Sequence, residues 1–291
     1  MSPQIEENTV RLALPKGRMF DGVIALLKDA GISIRKSERG YRPHISLSNF
    51  TTKILKPRNV ISMLTAGARD VGFAGDDWIQ EMGADLVELL DTKLNPVRLV
   101  VAAPRSILVD GKLPDRPLVV ASEYPNLAEK WIADRGLEAT VLHTFGATEV
   151  FPPEDADCII DNTSTGSTLR ANGLDIIDEV LTSSTRFYAS QTVLDNPATK
   201  SAIDNLVLMM ASVLEARSRV LMEMNVAKDN LDEVLAALPS MRQPTVGQLS
   251  NEGWFAVRSA ILRKDVTEII PKLKAAGACD IIMTRAEQII A

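Results

Sequence analysis

Segments typical of strands alternate with segments typical of amphipathic helices from residue 10 to about residue 180 of this chain. Residues 10–14 form the first predicted strand, and a helix is predicted from Met19 to Ala30, where Gly31 would end it. Strands that alternate with helices favour mostly parallel sheets. Because the pattern occurs in two blocks, residues 10–97 and about 98–180, it predicts two lobes with a cleft between them.

A different order of elements is predicted after residue 216. Residues 217–291 favour the succession strand, helix, strand, strand, helix, strand, which is the ferredoxin-like split motif. Pro239 and Gly277 stand where the two helices should end. This segment contains no cluster of titratable groups, so we interpret it as a small-ligand or pairing module rather than a catalytic one.

The predicted fold is therefore α/β, with a two-lobed core followed by a C-terminal ferredoxin-like βαββαβ domain. Residues 1–97 make the first lobe in this prediction. A predicted strand from Val180 to Ala189 could return the chain to that lobe, so that residues of about 181–215 complete it. Residues 98–180 make the second lobe, and residues 216–291 make the C-terminal domain.

Composition excludes several classes of function. The net charge of −6 argues against a duplex-binding surface, and no apolar run reaches the length of about 18 residues that a membrane span needs. The N-terminal segment MSPQIEENTV is acidic and lacks the apolar centre of a signal peptide. Cys158 and Cys279 have neither metal-ligand spacing nor the pattern of a disulfide framework. These features predict a cytoplasmic protein with no nucleic-acid or membrane partner.

The stretch from Asp157 to Leu169 has the pattern of an anion site: a buried strand, a hydroxyl-rich turn around Gly166, and the start of a helix. Four side chains of the turn can donate hydrogen bonds: Ser164, Thr165, Ser167 and Thr168. The turn contains no lysine, so it is not the phosphate loop of nucleoside triphosphatases. Asp161 just before it suits ribose hydroxyls or a hydrated cation. The alternative is a Ser/Thr-rich helix cap that binds nothing.

A second candidate anion site follows the first strand. Pro15-Lys16-Gly17-Arg18 is a short basic turn between a strand and a helix, at the edge where open α/β sheets bind ligands. Arg18 can bind a phosphate through two hydrogen bonds, and Lys16 adds a further cation. The alternative is a basic turn that is only solvated.

The pattern around the first site resembles the signature of the ATP phosphoribosyltransferase family, which carries out the first step of histidine biosynthesis. The residues that carry the resemblance are Ala156-Asp157-x-Ile159-x-Asp161-x-x-Ser164-Thr165-Gly166-x-Thr168-Leu169-x-Ala171-Asn172-Gly173-Leu174. The segment Leu14-Pro15-Lys16-Gly17-Arg18 is similar to the start of family members. The resemblance implies a type II periplasmic-binding-protein-like core with two crossover strands. It also implies that adenine N1 of ATP attacks phosphoribosyl pyrophosphate (PRPP) and displaces pyrophosphate.

The resemblance implies three groups of site residues. Those implied in catalysis are Asp161, Arg18 and Glu149. Those implied in binding PRPP are Asp161, Ser164, Thr165, Gly166, Ser167 and Thr168. Those implied in binding ATP or its phosphates are Lys16, Arg18, Asp77 and Tyr124. Without the resemblance, Asp77 is a helix cap, Tyr124 a turn residue and Glu149 a solvated strand end.

The C-terminal segment resembles the regulatory domain of the family's long form, which binds histidine and inhibits the enzyme. This implies histidine contacts near Thr245 and Ala278, a homo-oligomer from dimer to hexamer, and no separate regulatory subunit. Mg²⁺ is expected to arrive with the substrates, because no protein metal cage is visible in the sequence.

The chain departs from the family pattern in two places. Residues Lys56–Ile61 have no aspartate or proline at the positions where family members carry them, and Glu123 stands where a lysine is frequent. No substrate contact is transferred to either place. Two other classes of function remain open on sequence alone: a nucleotide- or anion-binding sensor and a catalytically silent regulatory subunit.

Overall fold

The computed structural model describes residues 8–35, 40–239, 241 and 243–290. Residues 1–7, which hold most of the segment predicted not to be a signal peptide, lie outside the described part. The described chain divides into two compact units at Asp204, and Leu26–Gly31 belong to the second unit. Among the described residues, no helix combines the length and the apolar character needed to span a membrane.

The first unit is built on one mixed sheet of eight strands in the order β4-β1-β5-β10-β6-β9-β7-β8. Its strands are β1 Val10–Pro15, β4 Phe50–Leu55, β5 Val71–Gly75, β6 Val87–Pro104, β7 Leu118–Ser122, β8 Ala139–His143, β9 Cys158–Thr163 and β10 Leu174–Ala189, and a separate short pair is β2 Ile34–Arg35 with β3 His44–Ile45. Its helices are α2 Pro57–Thr65, α3 Asp76–Met82, α4 Pro125–Arg135 and α5 Ser167–Ala171, whereas α1 Arg18–Asp29 and α6 Pro197–Ser218 are each divided between the two units.

Two parallel groups of strands make up the halves of this sheet. Strand β1 runs parallel to β4 and β5, and β7 runs parallel to β8 and β9. Between the halves, the long strands β6 and β10 pair with each other in antiparallel fashion, and they also pair with β9 and β5. The observed topology therefore confirms the predicted α/β class, with two strands that run through both halves.

The crossover strands are much longer than the sequence predicts. Apolar residues 97–103 indicate only part of β6, which has 18 residues, and β10 has 16. The part of β6 before Val97 contains Pro96 and two residues in the left-handed region, Lys93 and Asn95. Pairing with β10 therefore overrides a local sequence that disfavours a strand, and the register shifts around Ser183 and Thr185 accommodate it.

The second unit contains the ferredoxin-like arrangement that the element order predicts. Its elements are β11 Arg219–Ala227, α7 Leu231–Ala237, β12 Thr245–Gln248, β13 Trp254–Leu262, α8 Val266–Ala275 and β14 Cys279–Thr284. The sheet order is β12-β13-β11-β14, and all neighbours are antiparallel. Alternate residues of β11 enter the core of this unit: Val220, Met222, Met224 and Val226. Period-two burial of this kind fits a sheet covered by helices on one face.

Helix α4 is capped by a residue from another helix. The carboxylate of Glu81, in α3, accepts hydrogen bonds from the backbone N–H groups of Asn126 at 3.1 Å and Leu127 at 2.9 Å. The side chain of Asn126 donates to the Glu81 carbonyl at 2.8 Å. A carboxylate at a helix N-terminus satisfies free N–H groups and interacts favourably with the helix dipole. Since Glu81 is only 3% exposed, this contact fixes α3 against the start of α4.

We expect Glu81→Ala to lower the free energy of unfolding by about 1–3 kcal/mol, because two N–H groups would lose their buried acceptor. Glu81→Gln keeps one acceptor oxygen and should cost less. Urea unfolding followed by circular dichroism measures both variants. Equal stability of Glu81→Ala and the unmodified chain would show that this cap contributes nothing.

Candidate active site

An open cleft lies at the carboxyl ends of strands β1, β5 and β9 and against the two crossover strands. Its empty space, which includes open solvent at the mouth, is about 570 Å³. The lining residues come from both halves of the sheet and from both crossover strands: Lys16, Arg18, Met19, Pro57, Gly75, Asp77, Trp78, Asn95, Val97, Tyr124, Asn162, Ser183, Ser184 and Thr185. Ligands of open α/β sheets bind at this edge.

Two cations stand at one end of the cleft. Lys16 and Arg18 flank Gly17, whose φ of +87° favours glycine, and both cationic side chains are exposed. The ammonium of Lys16 lies 5.3 Å from the ring centroid of Tyr41 and donates to its hydroxyl at 3.3 Å. Neither cation forms an ion pair with a carboxylate of the described chain. They are therefore available to an anionic ligand, as the basic turn predicts.

A third cation comes from the segment that departs from the family pattern. The guanidinium carbon of Arg58 lies 4.2 Å from the ring centroid of Trp78, and Trp78 stacks on Tyr124 with 4.3 Å between centroids and 26° between planes. Pro57, the neighbour of Arg58, lines the cleft together with Trp78. Cation–π contacts of this kind hold an arginine side chain in place. The divergent segment thus still presents a positive group beside the cleft.

The carboxylate of Asp77 is the centre of a buried hydrogen-bond network. One oxygen accepts from the Ser183 hydroxyl and the other from the Tyr124 hydroxyl, each at 2.7 Å. The Asn162 side-chain amide donates to the Tyr124 hydroxyl at 2.8 Å. Burial, and then the charge of Asp77, raise the pKa of Tyr124 far above its usual range, so this hydroxyl keeps its proton. A Cβ atom on Gly75 would clash with the Asp77 carboxylate, so the network also requires glycine there.

Asp161 directly follows three buried residues of β9 and lies within electrostatic reach of two other acidic side chains. Burial is the largest cause that raises its pKa to about 6, and the charges of Glu123 and Glu149 add to it. The backbone N–H of Asn162 donates to the Asp161 carboxylate at 2.7 Å, which acts in the opposite direction. Glu149 lies on a 3₁₀ turn, Thr148–Val150, that follows β8. The structure therefore brings Asp161 and Glu149 within electrostatic reach of each other.

The hydroxyl-rich loop links β9 to α5, which begins at Ser167 rather than at the predicted Leu169. Gly166 has a φ of +72° and donates its N–H to the Thr163 hydroxyl at 2.9 Å. The guanidinium of Arg170 donates to the Thr165 carbonyl at 3.0 Å and would lie 3.0 Å from a Cβ on Gly166. Four loop hydroxyl side chains are exposed: Ser164, Thr165, Ser167 and Thr168.

The residues implied in binding fall into two places of the first unit. Lys16, Arg18, Asp77 and Tyr124 line the cleft, whereas Asp161, Glu149 and the loop from Ser164 to Thr168 are not among its lining residues. Strand β9 connects the two places, because Asn162 lines the cleft and directly follows Asp161.

The two residues implied in histidine binding lie in the second unit. Thr245 begins β12 and is exposed. Ala278 is 1% exposed, and its side chain belongs to the core of this unit. Any contact of Ala278 with a ligand would therefore use its backbone.

Several cleft residues are not identified by the sequence patterns. Trp78, Asn95 and Asn162 line the cleft only because of contacts with distant parts of the chain, and Arg58 lies beside it through its contact with Trp78. Ser183-Ser184-Thr185 is the exception, because three consecutive hydroxyl residues inside a predicted strand place polar groups on both faces. That signal could have identified the cleft floor.

Comparisons with known proteins agree over nearly the whole chain. The sequence profile of the ATP phosphoribosyltransferase family matches residues 56–212, and that of the HisG C-terminal domain matches residues 216–288. The ATP phosphoribosyltransferase of Pelodictyon phaeoclathratiforme is 36% identical over 274 residues, which are 92% of this chain and 93% of the relative. That of Pelotomaculum thermopropionicum is 36% identical over 278 residues, which are 94% of this chain and 96% of the relative.

A solved structure gives the same result for the fold. The ATP phosphoribosyl transferase (HisG:HisZ) complex from Thermotoga maritima superimposes with a TM-score of 0.61 and 26% sequence identity, covering 70% of this chain and 99% of that chain. The predicted core of the type II periplasmic-binding-protein-like kind is confirmed with it. Together with the identity to the curated relatives over more than nine tenths of the chain, these matches show that this chain belongs to the ATP phosphoribosyltransferase family, in its form with the C-terminal domain.

Proposed function

We propose that this protein condenses ATP with PRPP to give phosphoribosyl-ATP and pyrophosphate, as a pentosyltransferase of histidine biosynthesis. The observation that carries the proposal is the cleft itself. It has two cations at one end, Lys16 and Arg18, and strand β9 on its opposite wall, which leads into Asp161 and the hydroxyl loop. This arrangement suits two phosphate-bearing substrates, because the cations can bind phosphate groups at one end while β9 holds the sugar phosphate at the other.

The reaction requires positioning rather than a protein nucleophile. Adenine N1 donates its lone pair to the anomeric carbon of PRPP, the bond from that carbon to the pyrophosphate oxygen breaks, and pyrophosphate leaves with the electron pair. The configuration at the carbon inverts. Holding two substrates in line can supply a large part of the rate. Fixed charges around the breaking bond supply much of the remainder.

Each group of residues has a place in this reaction. The loop from Ser164 to Thr168 would bind the 5′-phosphate of PRPP through backbone N–H groups and hydroxyls. Asp161 would orient the ribose and, with Glu149, stabilise the positive charge that grows on the ring. Lys16 and Arg18 would offset the charge of the leaving pyrophosphate or of the triphosphate.

We propose that Mg²⁺ enters on the phosphates of the substrates. In the part of the chain that the structure describes, no three or more histidine, cysteine or acidic side chains form a group that could hold a metal ion. Mg²⁺ generally keeps several waters and binds through phosphates and few carboxylates. When bound, the ion would neutralise part of the phosphate charge of both substrates.

The C-terminal domain is proposed to bind histidine near Thr245 and the backbone of Ala278 and so to inhibit the enzyme, without a separate regulatory subunit. In this proposal, residues 1–97 and about 181–215 form the first catalytic lobe, 98–180 the second, and 216–291 the regulatory domain. The active form is a homo-oligomer, from dimer to hexamer. Since ATP and PRPP are metabolites of the cell interior, the reaction is placed in the cytoplasm.

The purified chain mixed with ATP, PRPP and Mg²⁺ should give an absorbance change at the adenine band, because alkylation of N1 alters the chromophore. Omission of any one of the three should abolish the change. Calorimetric binding of ATP without any absorbance change would instead identify a nucleotide-binding sensor and overturn the proposed function.

We expect Asp161→Asn to lower kcat/KM by about 100-fold or more, since one fixed charge beside the reacting carbon is removed. The same change should raise the free energy of unfolding at pH 7–8 by about 1–3 kcal/mol, because a buried charge is replaced by a neutral group. The pKa of Asp161 is raised to about 6 in the folded protein, so the folded state holds its proton more tightly than the unfolded one.

The sign of the pH dependence follows from this. The unmodified protein should lose stability relative to Asp161→Asn as pH rises from about 4 to about 6, and the difference should vanish below about pH 4. Asp115→Asn, at an exposed aspartate of the loop after β6, is the matched control and should change neither quantity. Equal losses of activity and stability in Asp161→Asn would show that Asp161 is only structural.

Added histidine should inhibit the unmodified chain, and Thr245→Val should need several-fold more histidine for half inhibition, because a hydroxyl near the proposed site is lost. Thr284→Val makes the same change on β14, at the opposite edge of the domain's sheet, and should leave the inhibition curve unchanged. Initial rates against histidine concentration measure both variants. Identical curves for the two variants would remove Thr245 from the histidine site.

A further inference from the structure

We propose that Asn162 recognises the exocyclic 6-amino group of adenine and so makes the cleft selective for ATP among purine nucleotides. This inference rests on the proposed function and names a specificity residue for it. The groups that carry it form one hydrogen-bonded chain across the cleft wall: Ser183, Asp77, Tyr124 and Asn162. All four line the cleft.

The direction of every hydrogen bond in this chain is set by Asp77. A carboxylate only accepts hydrogen bonds, and both of its oxygens here face hydroxyl groups, those of Ser183 and Tyr124. Tyr124 is fully buried and keeps its proton, so it donates that proton to Asp77. Its hydroxyl oxygen is then left with acceptor capacity only.

The side-chain amide of Asn162 must therefore turn its NH₂ group towards Tyr124. The nitrogen lies 2.8 Å from the hydroxyl oxygen, in donor geometry. The opposite orientation would place the amide oxygen against an oxygen that has no proton to give. With the nitrogen fixed, the oxygen of the same amide points away from Tyr124, and no residue of the described chain donates a hydrogen bond to it. The cleft wall thus offers an oriented acceptor to a ligand.

A hydrogen-bond acceptor held in one orientation, such as the Asn162 amide oxygen, favours a ligand that carries a hydrogen-bond donor. In the proposed reaction adenine N1 must lie beside the anomeric carbon, which Asp161 is proposed to position. The 6-amino group is bonded to the ring carbon next to N1. Asn162 is the residue after Asp161 in β9, and its backbone N–H already donates to the Asp161 carboxylate. The acceptor therefore belongs to the residue next in β9 to the one proposed to position the ribose.

The same acceptor disfavours other purines. Hypoxanthine and guanine carry an oxygen at position 6, so two acceptors would face each other, and neither would be satisfied. A site that hydrogen-bonds one ligand group discriminates strongly against analogues that lack it. Asn162 would thus exclude nucleotides whose N1 carries a proton and cannot attack.

The test uses the full chain and compares ATP with purine riboside 5′-triphosphate, which lacks the 6-amino group and keeps the N1 lone pair. Isothermal titration calorimetry should show that the unmodified protein binds ATP about 10-fold more tightly or better. In Asn162→Leu, which has similar size and no acceptor, the ratio of the two dissociation constants should fall to about 1–2.

Asn205→Leu is the matched control, because it makes the same change at an exposed asparagine of α6 that does not line the cleft. Its ratio should equal that of the unmodified protein. If Asn162→Leu fails to fold, Tyr124→Phe replaces it: the loss of the hydroxyl releases the amide to rotate, and the ratio should fall to an intermediate value.

A ratio that is unchanged in Asn162→Leu, or a ratio near 1 in the unmodified protein, would overturn the inference. These outcomes are separate from failure of the proposed function, which would be an absence of product from ATP and PRPP while ATP still binds. Under that failure the calorimetric ratio still decides whether Asn162 recognises the amino group.

Discussion

The antiparallel pairing of β6 with β10 is the interaction on which the first unit depends. Among the described strands, this pair joins the two parallel halves of the sheet, since β5 lies beside β10 and β9 beside β6. Left-handed residues in β6, Lys93 and Asn95, coincide with the register shifts opposite them in β10. The strands that join the halves are therefore irregular where they form the cleft floor, and Asn95, Ser183 and Thr185 of these strands line the cleft there.

Asp77 joins the elements of the cleft wall, just as the pairing of β6 with β10 joins the halves of the sheet. Its carboxylate joins Ser183 of β10 to Tyr124 at the start of α4, and Tyr124 joins Asn162 of β9. One turn later on the same helix, Glu81 caps α4. Two acidic residues of α3 thus fix the position of α4 and the orientation of the polar groups beside it. Acceptor-only groups give such networks a defined direction, because each neighbour must then donate.

Sequence patterns predict the local features well and the long-range contacts poorly. The sequence predicts strands at residues 139–143 and 254–262, and β8 and β13 have these bounds. Strand β4 is missed, because polar residues 51–53 interrupt its pattern and only pairing with β1 establishes it. The candidate site divides in the same way. Glycine turns and hydroxyl runs are local signals, so Lys16, Arg18 and the hydroxyl loop stand out in the sequence. Asn162 does not, because its meaning comes from Tyr124, a residue 38 positions away. Contacts between residues far apart in the chain leave no periodic pattern, and these contacts decide which polar group faces the ligand.

The acidic side chains around Asp161 would favour a positively charged ribose over a neutral one in the proposed reaction. Burial and the neighbouring charges of Glu123 and Glu149 disfavour the ionised form of Asp161, which raises its pKa to about 6. That unfavourable energy is present in the free protein at neutral pH. A ribose ring that becomes positive as its bond to pyrophosphate breaks would relieve it, whereas a neutral ribose would relieve little. Interactions that strengthen only as charge develops are those that accelerate a reaction. In the proposed reaction, this clustering of like charges, which costs stability in the free protein, would thereby favour the charged transition state.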